Sequence, residues 1–183
     1  MQATGPTRKP PVVLVLASGR GERFVASGGK GSKLQALLAG RPVLEHTLEA
    51  VRASGLPFHV EDAGHPGMGE SIAAAVRATP DAGGWLVLPG DLPLVRPESL
   101  RAVASALATH DVVLPLYQGA RGHPVGFAAV HGAALQALHG AEGAASIVKQ
   151  GNMLRLDLDD EGIVTDIDTV DDLAAAERRF AAR

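Results

Sequence analysis

The chain has 183 residues, 46% hydrophobic and 20% charged, with a formal net charge of −3. That is the length and composition of one globular domain with a sizeable core, which excludes wholesale disorder. Seventeen basic against 20 acidic residues and only 3% aromatics argue against a nucleic-acid partner. The lack of cysteine excludes disulfides, thiolate metal sites and a Cys nucleophile. The opening MQATGPTRKPP has no apolar core of a secretory signal. The longest apolar run, Val12 to Ala17, falls far short of the ~20 residues that span a bilayer. A cytoplasmic enzyme without a membrane partner is the expectation.

Residues 1–11 read as a flexible N-terminal segment, broken by Pro10 and Pro11, and residues 12–183 as one domain. Val12 to Ala17 is a continuous β-branched run, as in a strand buried on both faces. A Gly-rich loop from Ser18 to about Ser32 follows. Pro42 to Ala53 has helical spacing, Phe58-His59-Val60 suits a short strand, and Gly67-Met68-Gly69 opens a helix over about Glu70 to Ala78. Trp85 to Leu88 predicts a second buried strand, closed by Pro89-Gly90-Asp91. Pro97 to Leu107 predicts a helix, and Asp111 to Leu116 and Pro124 to Val130 predict strands. Gly132 to Leu138 and Ala144 to Gln150 suit short helices. Met153 to Leu158 and Ile163 to Ile167 read as strands flanking a solvated acidic turn, Asp159-Asp160-Glu161-Gly162. Thr169 and Asp172 have the spacing of a capping box for a last helix ending near Phe180. Repeated β-loop-α units make one three-layer α/β domain.

The loop after the first strand, Leu16-Ala17-Ser18-Gly19-Arg20-Gly21-Glu22-Arg23-Phe24, offers backbone N–H groups to an anion, with Arg23 and Lys33 as nearby cations. A dinucleotide fingerprint would need glycine where Phe24 stands, and a Walker A loop would need Ser or Thr after Lys30. A plain Gly-rich turn from strand to helix is the other reading. Asp91 stands at the C-terminal end of a buried strand, where open α/β sheets bind ligands, and suits a hard cation; a turn-capping Asp is its alternative. Ser71 at a helix start can donate to an anion or cap an ordinary turn.

In order along the chain, these segments resemble the MobA-like nucleotidyltransferases, and the molybdenum cofactor cytidylyltransferase branch in particular. Leu16 to Phe24 resembles the family's leucine-alanine-alanine-glycine-x-glycine-x-arginine-phenylalanine signature, with Ser18 in place of the second alanine. Lys33-Leu34 fills the following lysine-leucine pair, though Ala26 to Gly31 lengthen the loop and bring in Lys30 as a second candidate. Gly67 to Ile72 resembles a glycine-methionine-x-x-serine-leucine segment, Asp91-Leu92-Pro93 an aspartate-leucine-proline motif, and Gly122-His123-Pro124 a glycine-histidine-proline loop. Asp166 to Leu173 resembles the aspartate-isoleucine-aspartate-threonine segment. The family's aspartate and arginine near residue 140 are replaced by Ala141 and Ala145.

The resemblance implies a Rossmann-like mixed sheet of the nucleotide-diphospho-sugar transferase type, here with an edge shortened between Gly55 and Pro66. It implies transfer of a nucleoside monophosphate, CMP favoured over GMP, from an NTP to a phosphorylated acceptor such as molybdopterin, with Mg²⁺ as cofactor. Arg23, Lys33 and Asp91 would be catalytic, and Asp91 and Asp168 would hold the metal. Leu16, Ala17, Ser18, Gly19, Gly21, Arg23, Lys33, Gly67, Ser71 and Asp91 would bind the nucleotide, and Gly122, His123 and Pro124 the acceptor. The other histidines, His65 among them, carry no ligand spacing. A molybdoenzyme client, a different phosphorylated acceptor, and a non-catalytic nucleotide- or pterin-binding accessory role stay open.

Overall fold

The structure, a computed structural model, describes residues 9–149 and 151–182. Met1 to Arg8 of the predicted flexible segment, and Gln150 of a predicted helix, lie outside the described residues. Lys9 pairs with Asp81 at 2.8 Å, and the Gly83 N–H donates to the Pro10 carbonyl.

The centre is a seven-stranded mixed sheet. The continuous apolar runs become its parallel middle: β1 (Val12–Leu16) lies between β4 (Phe58–Glu61) and β5 (Gly84–Pro89). On the far side of β5 the antiparallel β8 (Val125–Ala128) leads to β6 (Val112–Tyr117), which is flanked by β7 (Ala120–Arg121) and β9 (Met153–Asp157). Two short strands, β2 (Leu37–Leu38) and β3 (Arg41–Pro42), form a separate hairpin before helix α2 (Val43–Ser54).

Strand alternation divides the core into two layers. Val13, Val15, Leu86 and Leu88 face one way with Leu48, Val51, Leu100 and Val103, from α2 and α4 (Pro97–Ala106). Leu14, Leu16, Trp85 and Val87 face the other way with Ile72, Ala75 and Val76 of α3 (Met68–Ala78) and Leu135 of α5 (Gly132–Gln136). Each fully buried Val or Leu contributes roughly 1.5–3 kcal/mol, so this double layer fixes the strand ends on which the candidate site is built. A third cluster joins Phe24 of α1 (Glu22–Ala26) to Leu38, Leu94, Ile167 and Ala176, the last on the C-terminal helix α7 (Val170–Ala181). The short α6 (Ala145–Val148) completes the helices.

Three expectations need correction. The loop after β1 contains a helical turn, α1. Residues 163–167 are not a strand: a 3-10 turn over Glu161–Val164 leads into extended chain, and β9 pairs in parallel with β6 rather than with that segment. Asp160 is not solvated. It is 2% exposed, and its carboxylate accepts from Ser99 Oγ at 2.6 Å and from the N–H groups of Arg96 and Gly162 at 2.9 Å. One buried anion thereby ties the start of α4 to the turn after β9. The capping box at α7 is present in both directions between Thr169 and Asp172.

Candidate functional site

The site forms where β1 and β5 end side by side. The Gly90 N–H donates to the Leu16 carbonyl at 2.9 Å, and Thr47 of α2 holds the Gly90 carbonyl at 2.9 Å. A side chain at Gly90 would press on Leu44 and the Leu16 carbonyl, so the turn that delivers Asp91 needs a residue without Cβ. The Asp91 carbonyl in turn accepts from the Ile167 N–H at 3.0 Å, which brings the next residue, Asp168, beside it across 77 positions of sequence. Asp168 lies just beyond the segment expected to be a strand, and it is this backbone bond to Asp91 that sets its position.

Between the two carboxylates sits Lys33, on a short 3-10 turn whose start is capped by Ser32. Its Nζ donates to Asp91 Oδ2 at 2.6 Å and to Asp168 Oδ1 at 2.7 Å, with all three side chains only 12–16% exposed. Burial alone would lower the ammonium's pKa; Asp91 and Asp168 outweigh it and hold it above the ordinary value. The Asp168 carboxyl is likewise displaced: burial would raise it, but Lys33 and the Arg23 guanidinium at 2.8 Å keep it low. Asp166 goes the opposite way, raised by partial desolvation and then by the negative charge of Asp168. Lys30 is exposed, whereas Lys33 is the lysine set between the two carboxylates.

In front of this cluster opens a cavity of about 330 Å³. Of the residues expected to meet a nucleotide, Leu16, Ser18, Gly19, Lys33, Gly67, Ser71 and Asp91 line it. Ala17, Gly21 and Arg23 lie in the same loop outside the lining, and Asp168 stands behind Lys33. The opposite wall is the first turn of α3, whose dipole favours an anion, although the Ser71 N–H is already taken by the Gly67 carbonyl. Ser71, 3% exposed, shares a 2.8 Å hydroxyl contact with Ser18 and ties that wall to the loop after β1. On its outer side this turn abuts residues 139–140 main chain to main chain. The Gly69 N–H donates to the Gly140 carbonyl at 2.9 Å, and a Cβ on Gly69 would stand 2.6 Å from the His139 backbone.

Gly122, His123 and Pro124 do not line the cavity. The His123 N–H donates to the Ile163 carbonyl, Gly122 packs on Ile163, and the His123–Pro124 peptide is cis. Burial pushes the His123 imidazole below its ordinary pKa, against the pull of Asp91 and a backbone hydrogen bond at Val87, and Nδ1 is buried without a partner. One histidine without ligand spacing in the sequence nevertheless lines the cavity. His65 enters the cavity wall with its Nε2 3.0 Å from Glu61 Oε1, and His59 approaches the other oxygen at 3.4 Å. Burial would raise the Glu61 carboxyl, but these two histidines and the Ala63 N–H keep it low. The only sequence signal was the spacing His59-x-Glu61-x₃-His65, legible once β4 is known to end at Glu61.

Residues 13–156 match the family described as MobA-like NTP transferase domain. The chain belongs to that family. Among curated relatives of this MobA-like chain, the bifunctional protein GlmU of Halorhodospira halophila is 33% identical over 116 residues, covering 51% of this chain and 24% of GlmU. The chain thus spans about a quarter of the length of that relative. Among solved structures, the manganese complex of Rv0371C from Mycobacterium tuberculosis superposes with a TM-score of 0.74 at 22% identity, covering 94% of this chain and all of that one. Molybdopterin-guanine dinucleotide biosynthesis protein A from Archaeoglobus fulgidus gives 0.70 at 22% identity, over 94% and 100% of the two chains. These likenesses establish the MobA-like fold, a mixed α/β sheet of the nucleotidyltransferase type. No helix among the described residues is long and apolar enough to cross a membrane.

Proposed function

We propose that this MobA-like domain is a nucleotidyltransferase. It moves a nucleoside monophosphate, CMP favoured, from an NTP to a phosphorylated acceptor, molybdopterin favoured, and releases pyrophosphate. The observation that carries the reading is the convergence of Lys33, Asp91 and Asp168 beside a cavity lined by the Gly-rich loop after β1 and the start of α3. The cations, the Gly-rich loop and the dipole at the start of α3 suit a polyphosphate, and two carboxylates beside them suit the metal that accompanies it.

The donor set fits Mg²⁺. Asp91 Oδ2 and Asp168 Oδ1 converge on one point, and Asp91 Oδ1 is buried with no partner, a free hard oxygen. When bound there, Mg²⁺ would neutralise phosphate charge and orient the α-phosphoryl group. The Ser18–Gly19 loop and the start of α3 hold the polyphosphate from either side, while Lys33 and Arg23 offset its charge. An acceptor phosphate oxygen attacks the α-phosphorus in line, and the bond from that phosphorus to the bridging oxygen of the β-phosphate breaks. The acceptor is already ionised at neutral pH, so His123 has no proton to remove, and Gly122, His123 and Pro124, which lie outside the cavity lining, would orient the acceptor from beyond it. Catalysis is then chiefly placement and charge neutralisation.

CTP is favoured by the alanine-type loop and the Gly67–Ser71 segment, which meet through Ser18 and Ser71. Molybdopterin is favoured by the resemblance and by the fold shared with the Archaeoglobus protein. Pyrophosphate release with Mg²⁺ across a panel of NTPs and phosphorylated acceptors tests the proposal. Release with CTP and a molybdopterin acceptor supports it; release with another pair relocates the substrate. Nucleotide binding with no release under any combination overturns it in favour of the accessory-protein reading.

A further inference from the structure

Lys33 occupies the point at which a metal bound by Asp91 and Asp168 would have to sit. Its Nζ is 2.6 and 2.7 Å from the two carboxylate oxygens, while Mg²⁺ binds oxygens at about 2.0–2.1 Å. Two cations cannot share that point without strong repulsion in a site this buried. The charge balance points the same way: Lys33 and Arg23 already neutralise Asp91 and Asp168. Adding a dication to carboxylates already matched by these two cations leaves positive charge in excess, which a polyphosphate in the adjoining cavity would cancel. A purely structural ion pair would not explain Asp91 Oδ1, which is buried and has no partner.

From this we infer that Lys33 is a resident counter-ion that must exchange its carboxylates for the nucleotide's phosphates before a divalent metal binds, so that metal and NTP enter together. The Lys33 backbone stays fixed, since Ser32 caps its turn and Leu34 is buried. Only the flexible stem, which lies beside Gly21, has to swing. The cavity that receives the phosphates is the one Lys33 itself lines, so the swing is short. Without nucleotide the site is held shut to metal, and Asp91 and Asp168 remain paired.

The inference rests on the nucleotidyltransferase reading, and the test separates the two. Mn²⁺ is titrated calorimetrically into the wild-type protein with and without CTP carrying a methylene bridge between its α- and β-phosphates. The same titration without nucleotide is made on Lys33→Met and Lys33→Gln. Wild-type affinity for Mn²⁺ should rise about tenfold or more with the analogue, in the usual range of coupling between two ligands. Each Lys33 variant should bind Mn²⁺ without nucleotide about tenfold more tightly than wild type, or, if it unfolds in chelator, regain its fold on Mn²⁺ addition. Analogue binding that leaves Mn²⁺ affinity unchanged overturns the exchange and leaves the functional reading standing. Variants that bind Mn²⁺ no better than wild type overturn it equally. If neither this analogue nor its GTP, ATP and UTP counterparts bind at all, the functional reading falls and takes the exchange with it.

Discussion

Ser18 and Ser71 meet hydroxyl to hydroxyl at 2.8 Å, although 53 residues separate them and they belong to different walls of the cavity. Ser71 also donates to the Gly67 carbonyl at 3.2 Å, so one buried hydroxyl fastens the loop after β1 to the start of α3. Ser71→Ala removes both contacts and should lower stability by about 1 kcal/mol. Because the two walls then separate, KM for NTP should rise more than kcat falls. Denaturant unfolding together with steady-state kinetics checks both expectations.

Asp91→Asn keeps the shape of the side chain and removes its charge. The Asp91 backbone bond to Ile167 is untouched, so the fold should persist. Turnover should fall by about 10²–10³ or more, the scale seen when a preorganised electrostatic group is deleted. Near-normal turnover with Mg²⁺ in a folded variant would refute the metal assignment.

Arg23 is 77% exposed on its side chain and reaches Asp168 at 2.8 Å. An exposed ion pair of this kind contributes little to stability, so Arg23→Ala should leave Tm nearly unchanged. Its effect should fall on nucleotide affinity, with KM for NTP rising roughly tenfold for the loss of one charge-assisted contact. Unchanged affinity would count against a phosphate-binding loop.

The Lys33 cluster also dictates a pH profile. Lys33 is raised in the folded protein, so its stabilisation is complete below the unfolded-state value of about 10.4 and is lost as pH rises through the folded value. Asp168 is lowered, so its stabilisation is present above about 3.9 and is lost as pH falls through the folded value. Tm measured against pH should be level between about 7 and 10 and decline on both sides, the acid limb opening with buried His123, whose lowered pKa costs stability as pH falls below about 6.5. Lys33→Met should flatten the alkaline decline; an identical alkaline limb in the variant would contradict the pairing.

Asp160 offers a test of the fold away from the site. Three hydrogen bonds converge on its buried carboxylate, so Asp160→Ala should cost about 3 kcal/mol and loosen the start of α4. A loss within about 0.5 kcal/mol, the range of ordinary surface substitutions, would show that the bonds contribute little.

These residues also mark what the sequence reveals. β1 and β5 are legible because an unbroken apolar run suits only a strand covered on both faces, and their ends locate Asp91 and the loop that opposes it. Asp160 is misread because acidic residues beside glycine usually face water; its burial depends on α4 arriving from more than sixty residues away. Ile163 to Ile167 mimics a strand because Ile163, Val164 and Ile167 are apolar, yet Ile163 and Ile167 fill separate clusters through a 3-10 turn. His65 is invisible for a related reason. Nothing local distinguishes it from the other histidines until β4 ends at Glu61 and presents a carboxylate to it.

The seam between α3 and residues 139–140 bears on how far this cavity can be redesigned. Side-chain walls widen or narrow when a residue is exchanged, but here the outer support is largely carbonyl and amide, with Gly67 and Gly69 set against residues 139–140 and the Glu70 carboxylate fastening the Gly140 N–H at 2.9 Å. The distance across the cavity is therefore gauged by the main chain. New ligand preferences are more readily written on the Ser18–Glu22 loop, at His65 or in the Met68 side chain, all of which line the cavity, than by moving the main chain behind α3.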